Sequence, residues 1–134
     1  MCGIGILLLL LEDFLFTLLI GCSSSDNSIT PEMIQAIKSM TDGNEYVSIV
    51  IIKNEPDNFD IMVEVLFEPE SYSQIQSFTD AICKDCYNSF KDRDINQNIS
   101  VWGYRSKNNV IYGKTSYDKY SGKFEFKTAE ELNL

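Results

Sequence analysis

One stretch of this chain repeats with the period of a helix and the stretches around it with the period of a strand, and that change of period limits what the chain can fold into. From Tyr72 to Lys91, at about 100° per residue, Ile75, Phe78, Ile82 and Cys86 fall on one stripe, with Phe90 at its margin. Before it, YVSIVIIK (Tyr46 to Lys53) and IMVEVLF (Ile61 to Phe67) are β-branched and aromatic runs. After it, Ile99 to Tyr104 and Val110 to Ser116 have the same character. A lone amphipathic helix cannot bury its own stripe, so the stripe must lie on the sheet that the flanking runs build.

The punctuation agrees. Thr30-Pro31-Glu32 reads as a helix start: Thr caps, Pro suits the first helical position, and Glu complements the dipole. The spacing predicts a short helix to about Met40, with Met33, Ile34, Ile37 and Met40 on one stripe, closed by Asp42-Gly43-Asn44. NEPDNFD separates the first two runs as a hairpin with a long loop, and Ser106-Lys107-Asn108-Asn109 separates the last two. Ser71-x-x-Gln74 has the form of a capping box ahead of the long helix. Phe124-Glu125-Phe126 is compatible with a further edge strand. The expected class is α+β, a two-layer sandwich in the order α-β-β-α-β-β, with an antiparallel or mixed sheet and helices on one face.

The alternation also assigns faces. Ile61, Val63, Val65 and Phe67 form the likelier core set of their strand, opposite Met62, Glu64 and Leu66. If Ile99 and Val101 face the helices, Ser100, Trp102 and Tyr104 stand on the other side, and Tyr46, Ser48, Val50 and Ile52 can join them from the first strand. Trp102 is the only tryptophan in the chain. Tyr46, Trp102 and Tyr104 are therefore the candidate binding aromatics, suited to a protein, peptide or glycan partner. The alternative is that the segment from Tyr117 to Phe126 folds over and buries them.

The N-terminal segment has a different character. From Ile4 to Ile20 the chain is an apolar run broken only by Glu12 and Asp13, and it turns abruptly into GCSSSDNS. Two adjacent carboxylates cost roughly 2.5–3.5 kcal/mol each at the centre of a membrane helix, a poor basis for a permanent span. Leu19-Ile20-Gly21-Cys22 resembles the lipobox of bacterial lipoprotein signal peptides, in which an aliphatic residue and then a small one precede the lipidated cysteine. That resemblance implies residues 1–21 as a signal peptide cut between Gly21 and Cys22. It also implies lipid on Cys22, residues 22–29 as a flexible tether, and residues 30–134 as one extracytoplasmic domain at the cell membrane or outer envelope. The alternative is an uncleaved anchor or a buried helix. Processing would remove Glu12 and Asp13 and no basic residue, taking the formal charge from −9 to −7.

That charge excludes nucleic acid as a partner, because phosphate binding needs a Lys/Arg surface. The chain holds no histidine, which removes the commonest general base and the usual zinc ligand. No motif demands a cofactor, and no catalytic constellation stands out among the abundant carboxylates, so the chain reads as a non-enzyme. Cys83-Lys84-Asp85-Cys86 has the spacing of thiol oxidoreductases and half-metal sites. It lies about three turns into a predicted helix, though, where i and i+3 Cβ atoms are about 5–6 Å apart and a disulfide wants about 3.5–4.5 Å. A buried small residue with a boundary thiol, a structural disulfide, and a redox or metal role all stay open. Asp92, Asp94 and Asn96 open a pattern like a calcium loop. Gln97 stands where that loop needs Gly and Gly103 where it needs Glu, so a solvated linker is the alternative. The resulting expectation is a membrane-anchored lipoprotein with a small acidic binding domain; the alternatives are a thiol redox protein using Cys83 and Cys86 or a calcium-dependent module.

Overall fold

A computed structural model describes residues 28–134. The elements are α1 (Pro31–Lys38), a 3-10 turn (Ser39–Thr41), β1 (Val47–Asn54), β2 (Asn58–Val65), α2 (Tyr72–Asp92), β3 (Asn98–Arg105), β4 (Val110–Asp118) and β5 (Lys123–Thr128). The five strands form one sheet in the order β1-β2-β3-β4-β5. Neighbours are antiparallel except β2 and β3, which run parallel. A parallel pair needs a crossover, and α2 supplies it. The class is α+β with a mixed sheet. The order carries a 3-10 turn and a fifth strand beyond the expected α-β-β-α-β-β.

Local chemistry sets the boundaries. Thr30 caps α1 by accepting the Met33 N–H at 3.2 Å, and Pro31 opens the helix. The first hairpin is tighter than its sequence promised. Glu55 and Asn58 exchange both backbone hydrogen bonds, closing a loop around Pro56 and Asp57, so the strands extend into the stretch expected to be loop. The expected capping box is displaced: the Gln74 side chain accepts from the Glu70 N–H at 2.6 Å, and Ser71 makes no side-chain cap bond. α2 still begins at Tyr72, directly after Ser71, whose backbone is extended.

One core lies between the helices and the sheet. It joins Ile37 of α1, Val47 and Ile49 of β1, Phe59, Ile61 and Val63 of β2, Ile82, Cys83, Cys86 and Phe90 of α2, and Ile99 and Val101 of β3. Phe59 and Phe90 meet edge-on, with ring centroids 5.1 Å apart. Burying an aromatic of this size contributes about 1.5–3 kcal/mol. The closest approach of α2 to the sheet is at Gly103, where a Cβ would stand 2.7 Å from Ile75 Cγ2. Tyr117 and Phe124 pack with Tyr87 of α2, at centroid distances of 4.7 and 5.5 Å from it. The Tyr117–Phe126 segment therefore extends the sheet under the helix and does not fold across the opposite face.

β1 breaks the expected alternation. Ile49 pairs with Val63, but Ile51 pairs with Met62, so Val50 is an extra residue in a bulge. Beyond the bulge the parity reverses: Ile52 joins the core side opposite Ile61, and Ile51 turns outward. The buried Ile49 N–H beside the bulge donates to Thr41 Oγ1 at 2.9 Å, so the 3-10 turn satisfies a backbone donor there.

Candidate functional site

The face of the sheet away from the helices is a set of cross-strand rows. Residues paired in register point to the same side. One row therefore crosses all five strands: Ile51, Met62, Trp102, Lys114 and Lys127. A polar row, Lys53, Asp60, Ser100, Ser116 and Glu125, runs beside it, and Glu64, Tyr104 and Ile111 lie on its other side. Ile51, Lys53, Asp60, Met62, Trp102 and Ile111 line a groove of about 390 Å³.

Trp102 is the centre of this site. Its Nε1–H donates to Asp60 Oδ1 at 3.3 Å, which fixes the indole edge. The Lys114 ammonium stands 4.6 Å from the ring centroid, a cation–π contact between two half-buried side chains worth about 0.5–2 kcal/mol. Neither Lys53, Lys114 nor Lys127 makes an ion pair among the described residues. The nearby carboxylates are engaged elsewhere: Asp60 by Trp102, and Glu64 by the Ser106 hydroxyl. Across the strands of this face four lysines (53, 114, 123, 127) stand against four carboxylates (60, 64, 118, 125). The face is formally neutral on an acidic chain.

The predicted aromatics divide. Trp102 and Tyr104 share the open face. Tyr46 does not join them: its ring packs against Phe67 and Phe78 at centroid distances of 6.1 and 6.4 Å, and Phe78 belongs to α2. Ile52 is likewise removed from the set, because the bulge turns it to the core side. The sequence alone does not single out Ile51, Lys53, Lys114 and Lys127; the one signal that marks this face is Met62, which alternates away from the core set of its strand.

Cys83 and Cys86 are both free thiols and fully buried. Burial pushes the Cys83 thiol up to about 12; the Asp80 charge adds to this and Lys84 opposes it. Cys86 is driven up further, chiefly by burial, with Cys83 and Asp85 contributing. Cys83, expected at the boundary of the stripe, is as buried as Cys86. Asp92 is the last residue of α2, and Asp94 takes a left-handed φ of 57°. Asp94 and Asn96 border a separate cavity of about 470 Å³ with Asn54, Glu55 and Gln97. The Gln97 amide binds Asn54 Oδ1 at 3.2 Å and also the Glu55 carbonyl, tying this loop to the first hairpin. Among the described residues no three or more Cys, Asp or Glu side chains gather as metal ligands. Cys22 lies outside the described residues. No helix among them is long and apolar enough to cross a membrane.

Comparison with protein-family models, with curated proteins and with solved structures finds no match for this chain.

Proposed function

We propose that the protein is a lipid-anchored, extracytoplasmic binding domain whose partner seats on the open face of the sheet. The observation that carries the binding half is the apolar groove beside Trp102, uncovered by either helix. The domain is then a two-layer sandwich, α-β-β-α-β-β extended by an edge strand, with its second face kept for the ligand. The anchoring half rests on the Leu19-Ile20-Gly21-Cys22 motif: cleavage before Cys22, lipid on its sulfur, and residues 22–29 as tether at the cell membrane or outer envelope. Deeply buried thiols favour this reading over a redox role, because the nucleophile in thiol exchange is an accessible thiolate.

Expression of the full chain in a bacterial host tests both halves. Mass spectrometry should find a mature N-terminus at Cys22 carrying a diacylglyceryl group, and Cys22→Ser should leave the chain unprocessed. An unprocessed wild-type chain would end the anchoring proposal. A photo-crosslinking residue at Ile111, on the groove, should give discrete adducts in envelopes, whereas one at Asn88, exposed on α2, should not. Equal adducts at both positions, or none at Ile111, would overturn the binding face.

A further inference from the structure

The row across the open face is apolar at one end and cationic at the other. Ile51, Met62 and Trp102 supply the apolar half on β1, β2 and β3, and Lys114 and Lys127 the cationic half on β4 and β5. With strands about 4.8 Å apart, the five positions span roughly 19 Å. From this geometry we infer that the open face binds a small, water-soluble amphiphile with a single anionic head, its apolar body in the groove on Ile51, Met62 and Trp102 and its carboxylate, phosphate or sulfate past the groove's Trp102 end, between Lys114 and Lys127. The inference rests on the binding face proposed above and names the ligand's chemistry.

Three features carry it. First, Lys114 and Lys127 are paired directly across an antiparallel ladder, and like charges in that position repel. Neither makes an ion pair among the described residues. An anion between the two ammonium groups would relieve the repulsion. Protection of an exposed edge explains lysine on β5, the terminal strand, but not on β4, which is covered on both sides. Second, the Lys114 ammonium lies over the Trp102 ring at 4.6 Å, at the junction where the apolar half gives way to the charged one. A ligand held on the indole therefore meets a cation at its end. Third, the groove's volume of about 390 Å³ lies at the lower end of the range for small-molecule sites, roughly 300–1,000 Å³. A polyanion would carry further charge out over an acidic domain. A single head needs only the two ammonium groups of the row, whereas further negative charges would come up against Asp60 and Glu125 in the row beside it.

Trp102, as the only tryptophan, reports occupancy directly. The full chain, held in phosphatidylcholine nanodiscs with empty discs as blank, is titrated with octanoate, octylammonium and 1-octanol while Trp102 emission is followed. Octanoate should shift the emission saturably and bind at least tenfold more tightly than octylammonium. The Lys114→Gln, Lys127→Gln double variant should lose about tenfold in octanoate affinity and leave 1-octanol unchanged. Lys127→Gln alone alters only an exposed side chain and should show part of that loss should the double variant fail to fold. Equal binding of octanoate and octylammonium, or full octanoate affinity in these variants, would overturn the inference. So would an emission shift produced by phosphatidylglycerol discs without ligand, which would mean a lipid surface. If no octyl compound moves Trp102 while position 111 still crosslinks to a protein in envelopes, the anionic ligand falls and the binding face stands.

Discussion

Replacing Thr115 by Val tests how α2 is held on the sheet. Thr115 is fully buried, and its hydroxyl donates to Asp80 Oδ1 at 2.6 Å. It also lies 2.8 Å from the Thr79 hydroxyl, which itself reaches the Ile75 carbonyl at 3.2 Å. Each hydroxyl has one proton, and an ionised carboxylate only accepts. The Thr115 proton is thus committed to Asp80, so in the Thr79–Thr115 contact Thr79 must be the donor. The chain runs Thr79 to Thr115 to Asp80 in one direction. A bond to a charged acceptor is worth about 1.5–3 kcal/mol, against roughly 0.5–1.5 for a neutral one.

The two truncations are therefore unequal. Thr115→Val removes the charge-assisted bond, gains about 0.8 kcal/mol for an extra buried methyl, and lets water reach the half-buried Asp80. The expected loss is about 1–2 kcal/mol. Thr79→Val removes only a neutral bond and leaves Thr115 on Asp80, so about 0–0.5 kcal/mol is expected. Urea unfolding followed by Trp102 emission and far-UV circular dichroism measures both. A Thr79→Val loss equal to or larger than that of Thr115→Val would refute the proton order. A neutral Thr115→Val would mean that the network does not fix α2 at all.

Gly103→Ala should cost about 1–3 kcal/mol, read as a lower urea midpoint, because its Cβ would stand 2.7 Å from Ile75 Cγ2 where α2 presses on β3. Thr41→Val should cost about 1–3 kcal/mol in the same assay by stranding the buried Ile49 N–H, while Thr41→Ser should cost less. For the thiols, a folded-state pKa raised above the free thiol's 9.0 means that the protonated native form loses ground as the unfolded chain ionises. Stability should be flat below pH 9 and fall above it, by about 1.4 kcal/mol per pH unit per thiol, continuing for Cys83 to about pH 12. The Cys83→Ala, Cys86→Ala variant should lose that slope in alkaline melts. An aromatic disulfide reagent at pH 8 should label the native protein only at its rate of unfolding, and rapid labelling would contradict the burial.

The elements were largely legible in the sequence because their signals are local. Thr30-Pro31 opens α1 as read, and the stripe of Ile75, Ile82, Cys86 and Phe90 does face the core. What was missed depends on partners distant in the chain. The second hairpin gave no sign that Lys114 would meet Lys127, since that pairing exists only once β5 joins the edge. Tyr46 looks equivalent to Trp102 when alternation is carried back past Val47, but it lies just before β1 begins. Its ring is instead captured by Phe67 and Phe78, residues 21 and 32 positions further on. Cys83 was placed at the flank of the stripe, and the Tyr87–Tyr117–Phe124 cluster from β4 and β5 shows how far the sheet reaches under α2.

The bulge in β1 has a cause that VSIVIIKN itself contains. Carried through without a break, the register that buries Val47 and Ile49 would bury Ile51 and then Lys53, and an unpaired ammonium in the core is far costlier than a local kink. The opposite register would turn Ser48 inward and expose Val47 and Ile49. Neither alternation serves the whole strand. Inserting Val50 as the extra residue keeps Val47 and Ile49 inside, turns Ile52 in, and sends Ile51 and Lys53 out. The same kink that spares Lys53 from the core delivers Ile51 to Met62 and Trp102, completing the apolar half of the row. The Thr41 hydroxyl on the Ile49 N–H holds that kink at the free edge of the sheet. The open face is thus shaped from its edge: the 3-10 turn after α1 supports the bulge of β1, and the parity beyond that bulge decides which side chains the groove offers.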